Sequence, residues 1–95
     1  MAYELIKESK IIVDKINSIS EKDEGFINTD YGHAARNLAW GVPGIASELN
    51  PEQQKEHLRG SALELVKMFG PKIIPLLREE LRNVLTEEEI AKYQK

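Results

Sequence analysis

The sequence predicts an all-α fold, a compact bundle of four to five helices that forms a single domain over residues 1–95. Apolar residues recur with the 3.6-residue period of a helix through most of the chain, and Asn, Thr and Pro stand where such segments begin. The strand propensity of residues 11–13 is too short to outweigh this period. With 95 residues, 41% of them hydrophobic and 31% charged, the chain falls within the range of small globular domains.

The first helix is predicted over residues 2–20, where one stripe of side chains repeats at helical spacing. The stripe consists of Leu5, Ser9, Ile12, Ile16 and Ile19. Residues 21–29 are predicted to connect this helix to the next one, with a turn at Gly25 and with Phe26 and Ile27 packed against the core.

The second helix is predicted to begin near Tyr31, because Thr29 or Asp30 offers a side-chain oxygen to the free amides of its first turn. It is predicted to stop at the Gly-Val-Pro-Gly sequence of residues 41–44, since proline lacks an amide donor and disfavours helical geometry in the residue before it. A short turn over residues 45–49 is expected to follow.

The sequence Asn-Pro-Glu-Gln at residues 50–53 is the clearest start of a helix in the chain. Asn50 caps the first turn, proline fits the first helical position, and Gln53 is placed to reach back in a capping box. This third helix is predicted to end at Phe69, before a Gly-Pro pair. Gly60 in its middle costs about 1 kcal/mol relative to alanine, and is therefore predicted to mark a close crossing with another helix.

A fourth helix is predicted over residues 71–85, with its regular part starting near Pro75, because a proline after the first turn removes a helical hydrogen bond. Its inward side chains are predicted to be Ile73, Ile74, Leu77, Leu81, Val84 and Leu85. Thr86 followed by Glu89 forms a second capping box, which predicts a short last helix through Tyr93.

Composition excludes several classes of protein. The absence of cysteine excludes a disulfide scaffold, a thiolate zinc site and cysteine catalysis. The net charge of −3 argues against nucleic acid as a partner, because phosphate binding needs concentrated Lys and Arg. The longest apolar run has three residues, and no basic stretch precedes an apolar one at the start. We therefore expect no membrane partner and a cytoplasmic location.

The polar residues suggest no catalytic grouping. The glycine spacing matches neither type of phosphate-binding loop, and no nucleophile-elbow sequence surrounds a serine. The two histidines, His33 and His57, lie on different predicted helices. We expect no catalytic residues and a protein that is not an enzyme, with catalysis at an interface between subunits as an open alternative.

Residues 53–57, Gln-Gln-Lys-Glu-His, resemble the Glu-x-x-His segment of ferritin-like helical bundles, which implies a carboxylate-bound metal site. The residue three positions before His57 is Gln54, however, and its neutral amide cannot supply the negative charge of that site. The paired acids of residues 79–80 and 87–89 are interspersed with Lys and Arg, as on a solvated helix surface. The sequence therefore predicts no metal site and no cofactor.

The second predicted helix has two different faces. One carries Tyr31, Ala34, Ala35 and Leu38, and its small residues allow a neighbouring helix to approach closely. The other carries His33, Arg36, Asn37 and Trp40 within an arc of about 100°. This second face joins the only tryptophan of the chain to residue types enriched at binding hot spots, so we predict that it binds a partner. In the alternative, the tryptophan fills the core beside the end of the helix.

These observations favour a small interaction or assembly module, such as an adaptor, an inhibitor or an accessory subunit, that binds another protein through a helix face. The chain is also expected to form a homo-oligomer, because several apolar residues lie beside or off the main stripes. These residues are Ile11, Leu63, Met68 and Leu76. The alternative function is a helical bundle that binds a small molecule or a metal.

Overall fold

The computed structural model describes residues 3–94, which form four α-helices and one 3-10 turn. In chain order they are α1 (Lys7–Lys22), the 3-10 turn (Phe26–Asn28), α2 (Asp30–Ala46), α3 (Pro51–Leu81) and α4 (Glu87–Tyr93). No strand occurs within these residues, so the predicted all-α bundle is confirmed.

One cluster of buried apolar side chains joins the four helices. Helices α1, α2 and α3 pack against one another, and α4 packs against α3. The least exposed large members of the cluster are Ile12, Ile16, Leu58, Ile73, Ile74, Leu77, Leu81 and Ile90. Ile12 and Ile16 lie on the predicted stripe of the first helix, and Ile73, Ile74, Leu77 and Leu81 are among the predicted inward residues of the fourth. Within residues 3–94, no helix combines the length and the apolar composition that crossing a bilayer requires.

The first helix begins later than predicted, after an irregular segment over residues 3–6. Two amides of this segment have distant partners: the Tyr3 N–H donates to the Ser47 carbonyl at 3.0 Å, and the Ile6 N–H donates to the Gln54 side chain at 3.0 Å. These bonds hold the segment across the end of α2 and the start of α3. The predicted start, at the second residue of the chain, lies outside the described residues.

Helix α2 continues to Ala46, so the prediction that it stops at residues 41–44 is wrong. Pro43 lies inside the helix and removes one amide donor, at a cost of about 3 kcal/mol. Val42 and Ala46 are both buried, and burial of a valine side chain alone is worth about 1.5–3 kcal/mol. Packing of the residues on both sides of Pro43 therefore offsets the unfavourable local sequence.

Helix α3 is bent at two places. A straight helix of 31 residues would measure about 46 Å, whereas the longest dimension of the molecule is 39 Å. The backbone leaves helical geometry at Phe69 (φ −134°, ψ 26°) and at Leu77 (φ −124°, ψ 15°), close to Pro71 and Pro75. The predicted helix end at Phe69 is thus a kink, and the chain stays helical to Leu81 instead of residue 85.

Close approach of backbones occurs at Gly32 and Gly70. A Cβ atom at Gly70 would overlap the carbonyl oxygen of Tyr93, and one at Gly32 would overlap the carbonyl oxygen of Phe26. Glycine at position 70 therefore lets α4 pack directly against α3. Gly60 is exposed and a Cβ atom there would meet nothing within 4 Å, so the predicted helix crossing at Gly60 is wrong.

The predicted helix caps are confirmed. The Thr29 hydroxyl accepts a hydrogen bond from an amide in the first turn of α2 at 3.0 Å. Asn50 and Gln53 exchange two hydrogen bonds, of 2.9 and 3.0 Å, between side chain and backbone. Thr86 and Glu89 make the same reciprocal pair at 3.0 and 3.1 Å. These caps provide partners for amides that the helices themselves leave free.

Candidate functional site

The outer side of α2 carries the four residues predicted to bind a partner: His33, Arg36, Asn37 and Trp40, named here the α2 face. His33, Asn37 and Trp40 are exposed, and Arg36 is half-buried. On the opposite side of the same helix, Ala35, Leu38, Ala39 and Val42 are buried in the core. The helical period thus separates the core residues of α2 from the α2 face.

The α2 face borders a shallow hollow of about 140 Å³. Its lining consists of the four residues of the α2 face and Ile27. Ile27 belongs to the 3-10 turn and is 43% exposed, whereas the neighbouring Phe26 is buried. Successive residues of a 3-10 turn point about 120° apart, so two neighbours cannot both face the core. The expectation that Ile27 packs inward is wrong, and Ile27 is the lining residue that sequence reasoning missed.

Trp40 is 65% exposed, so the alternative in which it fills the core is wrong. The guanidinium of Arg36 lies over the indole, with its Cζ atom 5.1 Å from the ring centroid. The two residues are one helical turn apart, which brings their side chains together. A cation–π contact of this kind at an exposed site contributes about 0.5–1 kcal/mol of attraction between the two side chains.

Arg36 has no acidic partner among residues 3–94. The ion pairs within that part of the chain are Lys55 with Glu8, Arg59 with Glu89 and Arg82 with Glu87. The Nε atom of Arg36 is enclosed without a hydrogen-bond acceptor. No acidic residue lines the hollow. The hollow therefore carries a local positive charge on a chain whose net charge is −3.

A larger hollow of about 360 Å³ lies between the first half of α3 and the turn that follows this helix. Its lining consists of Glu52, Lys55, Glu56, Arg59, Asn83 and Val84. Its two basic residues are already paired, Lys55 with Glu8 at 3.4 Å and Arg59 with Glu89 at 2.7 Å. Both basic residues of the larger hollow are thus paired, whereas Arg36 in the hollow beside α2 makes no ion pair within residues 3–94.

The Arg59–Glu89 pair joins α3 to α4. Two nitrogens of the Arg59 guanidinium donate to the two carboxylate oxygens of Glu89, at 2.8 and 2.7 Å. The hydrogen bonds from Arg59, and next the bond from the Thr86 N–H, lower the pKa of Glu89 from 4.5 to about 2. The same pair raises the pKa of Arg59. A fork-shaped pair with these distances fixes how α4 is oriented on α3.

The two histidines, His33 and His57, are exposed on different helices. Gln54, which departs from the ferritin-like pattern, is buried, and its amide binds backbone groups of the N-terminal segment and of the end of α2. Within residues 3–94, no group of three or more His, Asp or Glu side chains is placed to hold a metal ion.

No model of a known family, no curated protein and no solved structure matches this chain. A proposal about its function therefore rests on the surface chemistry of the described residues. The α2 face and its hollow bring together an exposed tryptophan, a second exposed apolar side chain and an arginine that makes no ion pair within residues 3–94.

Proposed function

We propose that the chain is a non-catalytic interaction module that binds a partner protein through the α2 face and Ile27. The observation that carries the proposal is the exposure of Trp40, 65%, beside that of Ile27, 43%, in one hollow. Tryptophan and arginine dominate the residues on which protein complexes depend most strongly. An adaptor, an inhibitor or an accessory subunit would use such a face.

The apolar area on the α2 face is large enough to matter for affinity. A tryptophan buries about 150–250 Å² when it is fully covered, at about 25 cal/mol per Å². With 65% of Trp40 exposed, a partner that covers the ring gains roughly 2–4 kcal/mol. Isolated exposed apolar residues are ordinary on protein surfaces. Binding is supported because Trp40 and Ile27 lie together in one hollow. The same hollow also offers the polar groups of Arg36 and Asn37.

A comparative capture experiment tests the proposal. The full chain, Trp40→Ala and Met68→Ala are immobilised, and the proteins that each retains from an extract of the source cells are quantified by mass spectrometry. Met68 is the matched control, because it is also 65% exposed but does not line the hollow. We expect a protein retained by the wild type and by Met68→Ala and reduced at least tenfold by Trp40→Ala. Retention of the same proteins by all three would contradict the proposal.

Self-association is a further proposal about partners. Tyr3, Met68 and Leu76 are exposed apolar side chains outside the hollow, and a symmetric dimer would bury side chains of this kind. Sedimentation of the chain at about 100 μM, well above a micromolar dissociation constant, tests it. A monomer at that concentration would contradict self-association and leave the capture experiment unaffected.

Small-molecule binding is a second candidate function, supported by the size of the larger hollow. Its volume of about 360 Å³ falls in the range of about 300–1,000 Å³ that ligand sites occupy. A compound that raises the melting temperature of the wild type but not of Glu56→Trp would support this candidate, since the exposed Glu56 lines the hollow and the indole would fill it.

A further inference from the structure

We propose that the hollow beside α2 receives an acidic segment of the partner protein, with a carboxylate bound to Arg36 and a neighbouring apolar side chain set against Trp40 and Ile27. This inference rests on the proposed function, because it specifies the chemistry of the partner that the α2 face binds.

The charges around the hollow favour a carboxylate. Arg36 lines the hollow together with His33, and no acidic side chain belongs to the lining. Of the other arginines, Arg59 and Arg82 are paired with glutamates, whereas Arg78, like Arg36, makes no ion pair within residues 3–94. Arg36 differs from Arg78 in lining the hollow. A partner carboxylate would supply that missing anion to Arg36.

The geometry of Arg36 prepares it for such a contact. Its guanidinium lies over the Trp40 ring at 5.1 Å, and its Nε is enclosed. The terminal Nη groups are not enclosed in this way, and they make no hydrogen bond within residues 3–94. The two Nη groups of Arg36 are therefore available for a forked bond to a carboxylate.

The size of the hollow indicates what enters it. Its volume of about 140 Å³ is below the range of about 300–1,000 Å³ typical of small-molecule sites. A space of this size accommodates one or two side chains of a polypeptide. Trp40 and Ile27 provide apolar walls beside the cation, so the matching segment carries an apolar residue close to its acid.

A phosphorylated segment fits these observations less well than a carboxylate. Sites for phosphorylated residues gather several arginines around the phosphate. The hollow has Arg36 as its single arginine. Preferential binding of a phosphorylated segment would therefore overturn the inference.

The test begins with a displayed library of random 12-residue peptides, selected on the full chain and counter-selected on Trp40→Ala. Circular dichroism and the denaturation midpoint establish that the variants fold. We expect the selected peptides to share an Asp or Glu within a few residues of an aliphatic or aromatic residue. Tryptophan-free versions are then synthesised, so that emission from Trp40, the only tryptophan of the chain, reports binding in the hollow.

Affinity is measured for the acidic peptide and for its amide counterpart, in which Asp or Glu is replaced by Asn or Gln. Arg36→Gln is expected to weaken binding of the acidic peptide about tenfold or more and to leave binding of the amide peptide unchanged. Arg78→Gln is the matched control, because Arg78 is also half-buried but does not line the hollow. It is expected to change neither affinity by more than about twofold.

The outcomes separate this inference from the proposed function. If binding needs Trp40 but the acidic and amide peptides bind equally, the acidic segment is excluded and the interaction module stands. A phosphoserine peptide that binds more than tenfold tighter than the acidic one would likewise overturn the inference. If no selected peptide needs Trp40, the proposed function fails and the inference fails with it.

Discussion

The buried side chain of Gln54 binds the backbone around Ile6 in both directions: its Oε1 accepts from the Ile6 N–H at 3.0 Å, and its Nε2 donates to the Glu4 carbonyl at 2.8 Å. The carbonyl oxygens of Ala46 and Leu49 also lie within hydrogen-bond distance of Nε2, at 3.2 and 3.0 Å, and share its two hydrogens with the Glu4 carbonyl. Gln54 is 2% exposed, so its polar atoms depend on these partners instead of water. One amide thus fastens the N-terminal segment to the end of α2 and the start of α3.

Gln54→Ala is expected to lower the free energy of unfolding by about 1–3 kcal/mol, because several backbone groups lose a buried partner at once. Hydrogen exchange at the Ile6 amide should accelerate more than exchange in the middle of α1, since that amide donates to Gln54. Gln94→Ala, at an exposed position, is the control and should leave both quantities unchanged. Continued protection of the Ile6 amide in Gln54→Ala would contradict this role.

The starts of three helices could be predicted because their signals are local. The Asn50–Gln53 and Thr86–Glu89 pairs lie three residues apart in sequence, and each forms its capping box within one turn. The Thr29 cap is also completed within its own turn. A residue pattern that contains both members of an interaction predicts that interaction reliably.

Two features that were predicted wrongly, the start of α1 and the end of α2, depend on distant residues. The path of residues 3–6 is fixed by Gln54, 48 positions after Ile6, and nothing in the N-terminal sequence indicates that partner. Likewise, α2 passes through Pro43 because Val42 and Ala46 are buried by other helices. Local propensity was outweighed there by packing that exists only in the folded chain.

In the candidate site, too, some features depend on local sequence and others on how distant residues pack. His33, Arg36, Asn37 and Trp40 could be predicted to share a surface because they lie on one helix at helical spacing. The exposure of that surface to solvent depends on how the 3-10 turn packs beside α2. The same packing brings Ile27 to the surface as a fifth lining residue. The absence of an acidic residue from the hollow lining is likewise visible only in three dimensions.

Gly60 and Gly70, both in α3, are expected to respond to alanine in opposite ways. Gly60→Ala should raise the free energy of unfolding by about 0.5–1 kcal/mol, because the position is exposed, helical and free of neighbours within 4 Å. Gly70→Ala should lower it, because the added methyl group overlaps the Tyr93 carbonyl and pushes α4 away from α3. Urea denaturation of both variants measures the difference. An equal increase in the free energy of unfolding of both variants would show that α4 does not pack against Gly70.

The Arg59–Glu89 pair is expected to make stability depend on pH. The pKa of Glu89 is lowered in the folded protein to about 2 from an ordinary value of 4.5, chiefly by its hydrogen bonds with Arg59. The pair therefore stabilises the folded state fully above about pH 4.5, and this contribution is lost as the pH falls toward 2. Glu89→Gln should be less stable than the wild type at neutral pH, and the difference should shrink through that window.

Comparing Glu89→Gln with the wild type tests the effect of the Glu89 charge on stability, because glutamine can also serve as the third residue of a capping box and so preserves the helix cap. Glu88→Gln is the control: Glu88 is exposed in the same turn of α4, and its pH profile should follow that of the wild type. The measurement is the denaturation midpoint at several pH values between about 2 and 7. Parallel profiles for the wild type and Glu89→Gln would mean that the ion pair does not contribute in solution.

Trp40→Ala should separate binding from stability. The ring is 65% exposed, so its removal should cost no more than the cation–π contact with Arg36, about 0.5–1 kcal/mol. Leu58→Ala is the contrast, because Leu58 is 0% exposed and its truncation should cost about 2–5 kcal/mol. Denaturation curves of the two variants test whether Leu58→Ala loses more stability than Trp40→Ala.

The emission of the free wild-type protein provides a check before any partner is known. Because this chain has one tryptophan, the spectrum reports on Trp40 alone, and an exposed ring should emit at long wavelength and be quenched readily by acrylamide. Blue-shifted, protected emission in a protein shown to be a monomer would place the indole in an apolar interior and exclude the α2 face as a docking surface. Protected emission in a dimer, changing to long-wavelength, readily quenched emission when dilution dissociates the dimer, would instead show that a second copy of the chain covers Trp40.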